Sequence, residues 1–434
     1  MKGIITGIDV GSSKITTVIV NVDEENISVI GVSTHPSEGL KKGVIINIDE
    51  AIKAISESVE AAERMAGVRI QNAVISLGCR HISSTNNKGV VAISRDEISG
   101  EDVLRALDSA RTVSVPQSRE IMHVIPREFI VDSQGGIKDP IGMSGIRLEV
   151  DTHIITITSM VLHNLTKCIN QVGLSVEDIF FSGWIDAEVI LSSTEKELGV
   201  ILIDIGFGVS DVVIYMDDAI SYSFSVPIGG SNITNDIAIG LRLSIDDAEK
   251  VKTSIPTLVK KAQQRQEQEE KDKKYAYPKK ETSDIKEQDL MLNLSDIGIQ
   301  TENGYEEIKK SMLDDIIDAR LEEIFGAIID DITKSGFDYK MPAGVVLTGG
   351  GAKLSGISRI AQKYFSSAAR VGYASNLKGL TEEISGPAYT TVYGLINSVI
   401  KNSNDGSRNS SVSGKSGNGF NASKIIDLIK SILP

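Results

Sequence analysis

An aspartate, a glycine, two serines and a lysine fall within six residues near the start of the chain: Asp9, Gly11, Ser12, Ser13 and Lys14. Backbone N–H groups of a glycine turn can close around a phosphate, hydroxyls add donors, and a neighbouring carboxylate can hold Mg2+ through water. Lys14 adds positive charge if its side chain turns inward. Ile4, Ile5 and Ile8 precede the turn and the β-branched run Ile15 to Val20 follows it, so two strands must carry it. Taken alone the signal is weak, and a β-hairpin with a polar tip is the readier account.

The pattern returns in the second half. Asp204, Gly206, Phe207, Gly208 and Ser210 lie between the apolar Leu202 and another β-branched run ending at Tyr215. Two Asp-x-Gly hairpins point to a duplicated fold whose halves face one another across a cleft. A third glycine cluster, Gly349, Gly350 and Gly351, follows the apolar run from Val345 and leads to Lys353. Order and spacing resemble the phosphate-1, phosphate-2 and adenosine motifs of the superfamily of actin, heat-shock chaperone ATPases and sugar kinases. That resemblance implies ATP, with Mg held through water by Asp9 and Asp204. Gly11, Ser12, Ser13 and Lys14 would hold one side of the phosphates, and Gly206, Phe207 and Gly208 the other. Gly349, Gly350 and Gly351, with Lys353 beside them, would let the adenine approach the backbone. Phe207 departs from the glycine usual there, and its bulk should hinder access to the γ-phosphate. The one Gly-Lys-Ser, at Gly414, lacks the leading glycine and the strand of a Walker loop.

The 434 residues suffice for two or three domains, and 41% hydrophobic with 24% charged residues is an ordinary soluble composition. A net charge of −14 argues against a general nucleic-acid binder. Cys79 and Cys168 stand far apart, as buried thiols in a reducing compartment would, and the five histidines show no metal-ligand spacing. No signal peptide and no run of about 18 apolar residues is present, so a cytoplasmic protein is expected.

Read in order, strands surround a helix at Ala51–Met65 with Ile52, Ile55, Val59 and Ala62 on one stripe. A segment of different style follows from Ser84. It holds a strand at Val90–Ile93, a helix Val103–Thr112 capped at Ser99, a strand at Glu128–Val131 and another at Leu148–Thr158. No acid, histidine or nucleophile cluster recommends it for catalysis. Its glycine-rich run Gly135 to Gly145, with Gly39 to Ile45 and Ala62 to Gly67, resembles the FtsA family, the actin-like bacterial cell-division proteins.

The resemblance implies an α/β actin-like ATPase fold of two facing duplicated domains, with an inserted small α+β 1C domain and a C-terminal amphipathic helix. Residues 1–83 and 159–198 would form subdomain 1A, 84–158 the 1C domain, and 199–230 with 341–384 subdomain 2A. Residues 231–340 would form 2B, including a charged insertion at 260–289 read as a solvated loop or frayed helix. A connecting helix, 385–400, would return to 1A. Within 2B, Glu249 and Lys252 would reach the ribose and base, although a surface ion pair fits them equally. Arg320, on a helix patterned by Ile308, Met312, Ile316, Ala319, Ile324 and Ile328, would face FtsZ. In such ATPases a Glu or Gln near a helix start activates the attacking water. Register places that slot at about Gly183, where no such side chain stands, with Asp186 nearby. No catalytic residue is therefore assigned, and ATP hydrolysis should be slow. Trp184 reads as a core aromatic.

Residues 401–419 are rich in Ser, Asn and Gly, a flexible linker. Beyond it Phe420, Ile425, Ile426, Leu428, Ile429, Ile432 and Leu433 form an apolar face edged by Lys424 and Lys430. Such a helix suits an anionic membrane surface, folding on contact. With the family's properties added, the chain reads as an ATP-bound, non-enzymatic adaptor peripheral to the cytoplasmic face of the membrane at the septum. It would tether FtsZ through that protein's C-terminal peptide, self-associate into filaments and help recruit later divisome proteins. A type IV pilus platform protein is the main alternative. A small-molecule kinase is weaker, and a chaperone lacks its peptide-binding domain.

Overall fold

The computed structural model describes residues 3–23, 26–276, 290–300, 306–374, 377–380 and 382–406. The membrane residues expected at 420–434 lie outside that range. Two compact units are present: one of 1–227, 340–352 and 367–434, the other of 228–339 and 353–366.

The first unit opens with β1 (Gly3–Val10), β2 (Lys14–Asp23) and β3 (Asn26–Pro36), then the short β4 (Leu40–Lys41) and β5 (Val44–Ile45). Helix α1 (Ile48–Ala66) starts where Asn47 accepts the Asp49 and Glu50 N–H groups, and ends at Gly67 in the left-handed region. Next come β6 (Asn72–Leu77), β7 (Ser83–Ala92), α2 (Gly100–Arg111), β8 (Arg119–Val131), β9 (Gln134–Ile137) and β10 (Arg147–Thr158). They lead to α3 (Ser159–Val172), β11 (Ser175–Phe181), α4 (Ser182–Ile190) and α5 (Ser193–Leu198). The second half supplies β12 (Val200–Ile205), β13 (Ser210–Met216) and β14 (Ala219–Val226).

The second unit holds α6 (Gly230–Leu241), α7 (Ile245–Thr253), α8 (Ile255–Ala276), β15 (Met291–Asn293), β16 (Glu307–Lys309) and α9 (Lys310–Lys334). The chain adds β17 (Val345–Thr348) to the first unit and α10 (Ile357–Phe365) to the second. It then returns to the first with β18 (Ala369–Val371), β19 (Lys378–Gly379) and α11 (Thr390–Gly406).

Sheet order exposes the duplication. One sheet runs β11-β6-β1-β2-β3-β19 and the other β14-β13-β12-β17-β18. In each, an antiparallel three-strand meander continues into parallel strands: β1 pairs β6, and β12 pairs β17. Helices α4 and α11 pack between them. A Cβ on Gly394 would stand 2.7 Å from the Ile185 carbonyl, so that glycine lets the two helix backbones touch. Ile8, Leu202, Val213, Ile185 and Leu395 are at most 1% exposed and belong to one core, with Trp184 in it as expected.

The inserted domain is a four-stranded sheet, β7-β10-β8-β9, covered by α2. The expected cap is present: the Ser99 N–H and hydroxyl both donate to Asp102, at 2.9 and 2.6 Å. The strand read at 128–131 is the end of the thirteen-residue β8. Pro126 sits where the ladder shifts register, so a residue that signals a strand break marks a bulge instead. The domain also covers the outer edge of β14. Ser84 Oγ donates to the Ser223 carbonyl at 2.7 Å and accepts its N–H at 3.0 Å, and Asn86 donates to the Ser221 carbonyl at 3.0 Å. Buried His153 lies 2.8 Å from Ser223 Oγ, and burial lowers its pKa to about 3.

Of the two readings of the charged run from Lys260, the helical one holds as far as Ala276, because Ile255, Leu258 and Ala262 anchor α8 and Arg265 pairs with Asp296 at 2.7 Å. Two other expectations are corrected. Helix α9 buries Leu313, Ile317 and Leu321, whereas Met312 is 44% exposed and Ala319 faces out; its many apolar residues offered two candidate faces. The connecting helix continues past residue 400 to Gly406, shortening the linker.

Gly89 has no room for a side chain: a Cβ would lie 2.0 Å from the Ala106 carbonyl on α2. Gly89→Ala should cost about 1–3 kcal/mol in urea unfolding by forcing α2 off its sheet. An unchanged midpoint would refute that packing.

Candidate nucleotide site

The two Asp-x-Gly turns share one geometry. The Gly11 N–H donates to the Lys14 carbonyl at 3.1 Å, and the Gly206 N–H to that of Val209 at 3.0 Å. A Cβ would meet those same carbonyls at 2.8 and 3.0 Å, so both turns favour glycine. In the ladders Asp9 faces Thr16, and Asp204 faces Asp211.

Four carboxylates converge here. Asp9 accepts from Ser76 Oγ at 2.6 Å, and Asp211 from Ser225 Oγ at 2.5 Å. Asp186, on α4, is fully buried, with Asp204 and Thr391 close enough to shift its titration, although neither its oxygens nor Asp204 Oδ1 meets strict hydrogen-bond geometry with a described residue. Burial first, then the Asp9 charge, pushes Asp204 up to about 7. Burial, then Asp204, drives Asp186 and Asp211 well above the usual carboxylate range. Asp9 is also raised by burial, with Ser76 and Lys14 opposing the shift.

Such crowding calls for a cation. No group of three or more His, Cys, Asp or Glu among the described residues is spaced to ligate a metal directly. The carboxyls of Asp9 and Asp204 are of the type that can hold an ion through water.

Ser12 Oγ accepts the Gly43 N–H at 2.8 Å, tying the β4–β5 hairpin to the first turn. A Cβ on Gly208 would stand 3.0 Å from Lys42 Cα, so that hairpin also abuts the second turn. Ser13 is exposed, Phe207 half-buried, and the Lys14 ammonium lies over the Tyr389 ring. Gly349 adopts φ +84°, and a Cβ there would lie 1.9 Å from Asp204 Oδ1; on Gly351 it would strike Ile205 at 2.4 Å. Packing on β12 thus explains those two glycines without any ligand. Gly350 is exposed with open space around it, and Lys353 is exposed.

In the second unit, Glu249 and Lys252 form more than a surface pair. Lys252 Nζ donates to Glu249 Oε2 at 2.6 Å, Thr234 Oγ1 at 2.7 Å and the Gly230 carbonyl at 3.1 Å, closing α7 on the first turn of α6. Desolvation lowers its pKa against the pull of Glu249. Arg320 is similarly engaged, by Asp236 at 2.5 and 2.8 Å and Glu323 at 2.5 Å.

Gly183 has little room for a side chain, since a Cβ would stand 3.0 Å from the Phe181 ring, and Asp186 lies one turn further along the same helix. Ser76, Asp211 and Tyr389 escaped the sequence reading. Asp211 was findable: an acid followed by Val212, Val213 and Ile214 is one a strand will bury.

Twin sheets of this topology, each presenting an Asp-x-Gly turn, define an actin-like ATPase fold. A chain from the structure of the PilM-PilN type IV pilus biogenesis complex has it too, with TM-score 0.59 at 13% identity over 90% of this chain and 97% of that one. Residues 79–156 match the family described as SHS2 domain inserted in FTSA, and residues 201–394 that described as Cell division protein FtsA. Cell division protein FtsA of Pseudomonas aeruginosa is 33% identical over 95% of this chain and 93% of its own length. That of Borreliella burgdorferi is 36% identical (91% and 90%), and that of Bacillus subtilis 34% (91% and 83%). The chain belongs to the FtsA family of cell division proteins.

An acid whose folded pKa is raised destabilises the fold as pH climbs from its unfolded value to its folded one. For Asp204 that window runs from about 4 to about 7. Nucleotide-free Asp204→Asn should therefore melt a few degrees above the parent at pH 8 and close to it at pH 4. Equal melting at both would dissolve the electrostatic account.

Proposed function

We propose that the chain binds ATP with magnesium between its two Asp-x-Gly turns and works as a nucleotide-loaded adaptor that joins the FtsZ ring to the membrane. The observation that carries the nucleotide reading is the convergence of the buried carboxyls of Asp9, Asp186 and Asp204 at two glycine turns of one geometry. Bound magnesium would neutralise phosphate charge there. Asp9 and Asp204 would hold its waters, and Gly11, Ser12, Ser13 and Gly206 to Gly208 would surround the phosphates. Gly350, with space above its backbone, is the best-suited contact for adenine, next to Gly349, Gly351 and Lys353. A ribose role for Glu249 and Lys252 requires Lys252 to give up one of its present bonds.

Slow turnover follows from the side chains. At about Gly183, where a base would orient water, no Glu or Gln stands, and Asp186 is an acid close by. ATP then acts as a long-lived ligand that sets the state of the protein rather than as a consumed substrate.

The apolar arc of Ile425 to Leu433 with its lysine edges supports attachment to the cytoplasmic face of the membrane at the septum. Among the described residues no helix is long and apolar enough to cross one. FtsZ's C-terminal peptide is assigned to the face of the second unit around Arg320, which would have to loosen from Asp236 or Glu323 to contribute charge. Self-association into filaments and recruitment of later divisome proteins complete the proposal. A pilus platform role rests on fold alone, at 13% identity.

Asp9→Ala combined with Gly350→Asp should abolish ATP binding without unfolding, since a Cβ at Gly350 meets nothing within 4 Å. Retained micromolar affinity would sink the site. In a second experiment, protein with ATP is pelleted with anionic liposomes, with and without the FtsZ C-terminal peptide. The full chain should pellet and capture the peptide, whereas a chain stopped after Gly406 should stay in the supernatant. Equal pelleting of the two would remove the tail from the account, and pelleting without capture would favour another membrane adaptor.

A further inference from the structure

The short hairpin β4–β5 turns through Lys42 and Gly43, at φ +52° and +71°. Two successive positive φ values make a two-residue type I′ turn, which favours Asn, Asp or Gly at its first position because most side chains are strained there. Lys42 is held in that conformation all the same. It is half-buried, and among the described residues its ammonium has no hydrogen bond, ion pair or ring contact. A half-buried cation with no anion beside it is costly, and so is a left-handed lysine. Backbone strain of this kind collects where a ligand is met.

The hairpin is fixed on three sides. Its base closes on Gly39, whose carbonyl accepts the Ile46 and Asn47 N–H groups at 2.8 and 3.1 Å. Gly43 leaves no room beneath: a Cβ would stand 1.9 Å from the Gly78 carbonyl, and one on Gly78 would stand 2.0 Å from Asp211 Oδ2. The Gly43 N–H donates to Ser12 Oγ at 2.8 Å, and a hydroxyl that accepts one bond still has its hydrogen to give. A Cβ on Gly208 would meet Lys42 Cα at 3.0 Å and Ser12 Oγ at 3.1 Å. Lys42 is thereby seated where the first Asp-x-Gly turn, the second and the acid cluster come together. From a backbone placed there, the four-carbon stem of a lysine reaches the mouth of either turn.

We propose that Lys42 is a phosphate-binding residue: the β4–β5 hairpin sets it between the two Asp-x-Gly turns, where its ammonium meets the oxygens of the polyphosphate. The inference rests on the ATP reading above. It adds to that site a cation from outside the three glycine motifs, and it gives the strained turn a reason to hold lysine where asparagine would be at ease.

Calorimetric binding of magnesium ATP and of adenosine to the full chain, alongside thermal melting, tests it. Lys42→Asn supplies the residue that this turn prefers before glycine, so it should melt no lower than the parent. It should bind ATP roughly tenfold or more weakly. Adenosine, lacking phosphates, should bind it as it binds the parent. Added NaCl should weaken ATP binding more steeply in the parent than in the variant, which the loss of a merely structural lysine would not produce. Lys41→Met, exposed and one residue away, should keep ATP affinity within about twofold. Lys42→Gly, equally at ease at positive φ, repeats the test if the asparagine variant does not fold. Parental ATP affinity in a folded Lys42→Asn or Lys42→Gly protein would overturn the assignment. So would salt slopes that stay parallel, an equal loss of adenosine, or an equal loss of ATP in Lys41→Met, which would make the effect one of general surface charge. If the parent bound neither ligand, the ATP reading would fall and this inference with it; if it bound ATP and the Lys42 variants bound it as well, only the inference would fall.

Discussion

Asp186, Asp204 and Asp211 each feel the charge of Asp9, and the four carboxyls are all buried. Burying like charges together is among the costlier things a chain can do, and here the neighbouring structure is arranged around that cost. Ser76 and Ser225 supply hydroxyl donors from the strands flanking the two hairpins. Gly78 and Gly349 are glycines because a Cβ would stand 2.0 Å from Asp211 and 1.9 Å from Asp204. What these partners leave undone, an ion and its waters can complete. A ligand that binds only the folded chain also stabilises it by mass action, so occupancy and stability of the first unit rise together.

The scaffold explains how carboxylates from distant parts of the sequence meet. Each hairpin opens a meander, and each meander shares its sheet with parallel strands, with α4 and α11 packed against both sheets. Helix α4 carries Asp186 into the cluster on the same apolar turns that bury Trp184 and Ile185. Helix α11 crosses it at Gly394 and begins one residue after Tyr389. Packing between the sheets and chemistry at their ends are therefore set by the same two helices.

Much of this was legible in residue order. Asp9 and Asp204 could be paired because the same spacing of acid, glycine and β-branched residues recurs, and recurrence survives where a single motif is ambiguous. Ser99 and Asp102 announced a helix start because capping is local chemistry. Legibility failed where the decision was tertiary. Leu313 and Ile317 were buried in preference to Met312 and Ile316 by the helices around α9, which no periodicity within α9 encodes. The strand at Glu128–Val131 was read too short, because the bulge beside Pro126 needs its partner strand to be recognised. Tyr389 carries no motif; its position over Lys14 arises only once the end of the chain has folded back on its beginning.

The cover that the inserted domain lays over β14 has a consequence for assembly. An uncovered edge strand invites any extended chain to add itself to the sheet. Here Ser84 and Asn86 occupy the outward carbonyls of Ser221 and Ser223 with side chains, and His153, kept uncharged by burial, backs them. The edge is thereby satisfied without being extended, because side-chain amides and hydroxyls end a ladder where a paired backbone would continue it. At Ser221 and Ser223 β14 therefore has no outward carbonyl left for another chain's strand to pair with. Association is left to faces whose geometry can be chosen.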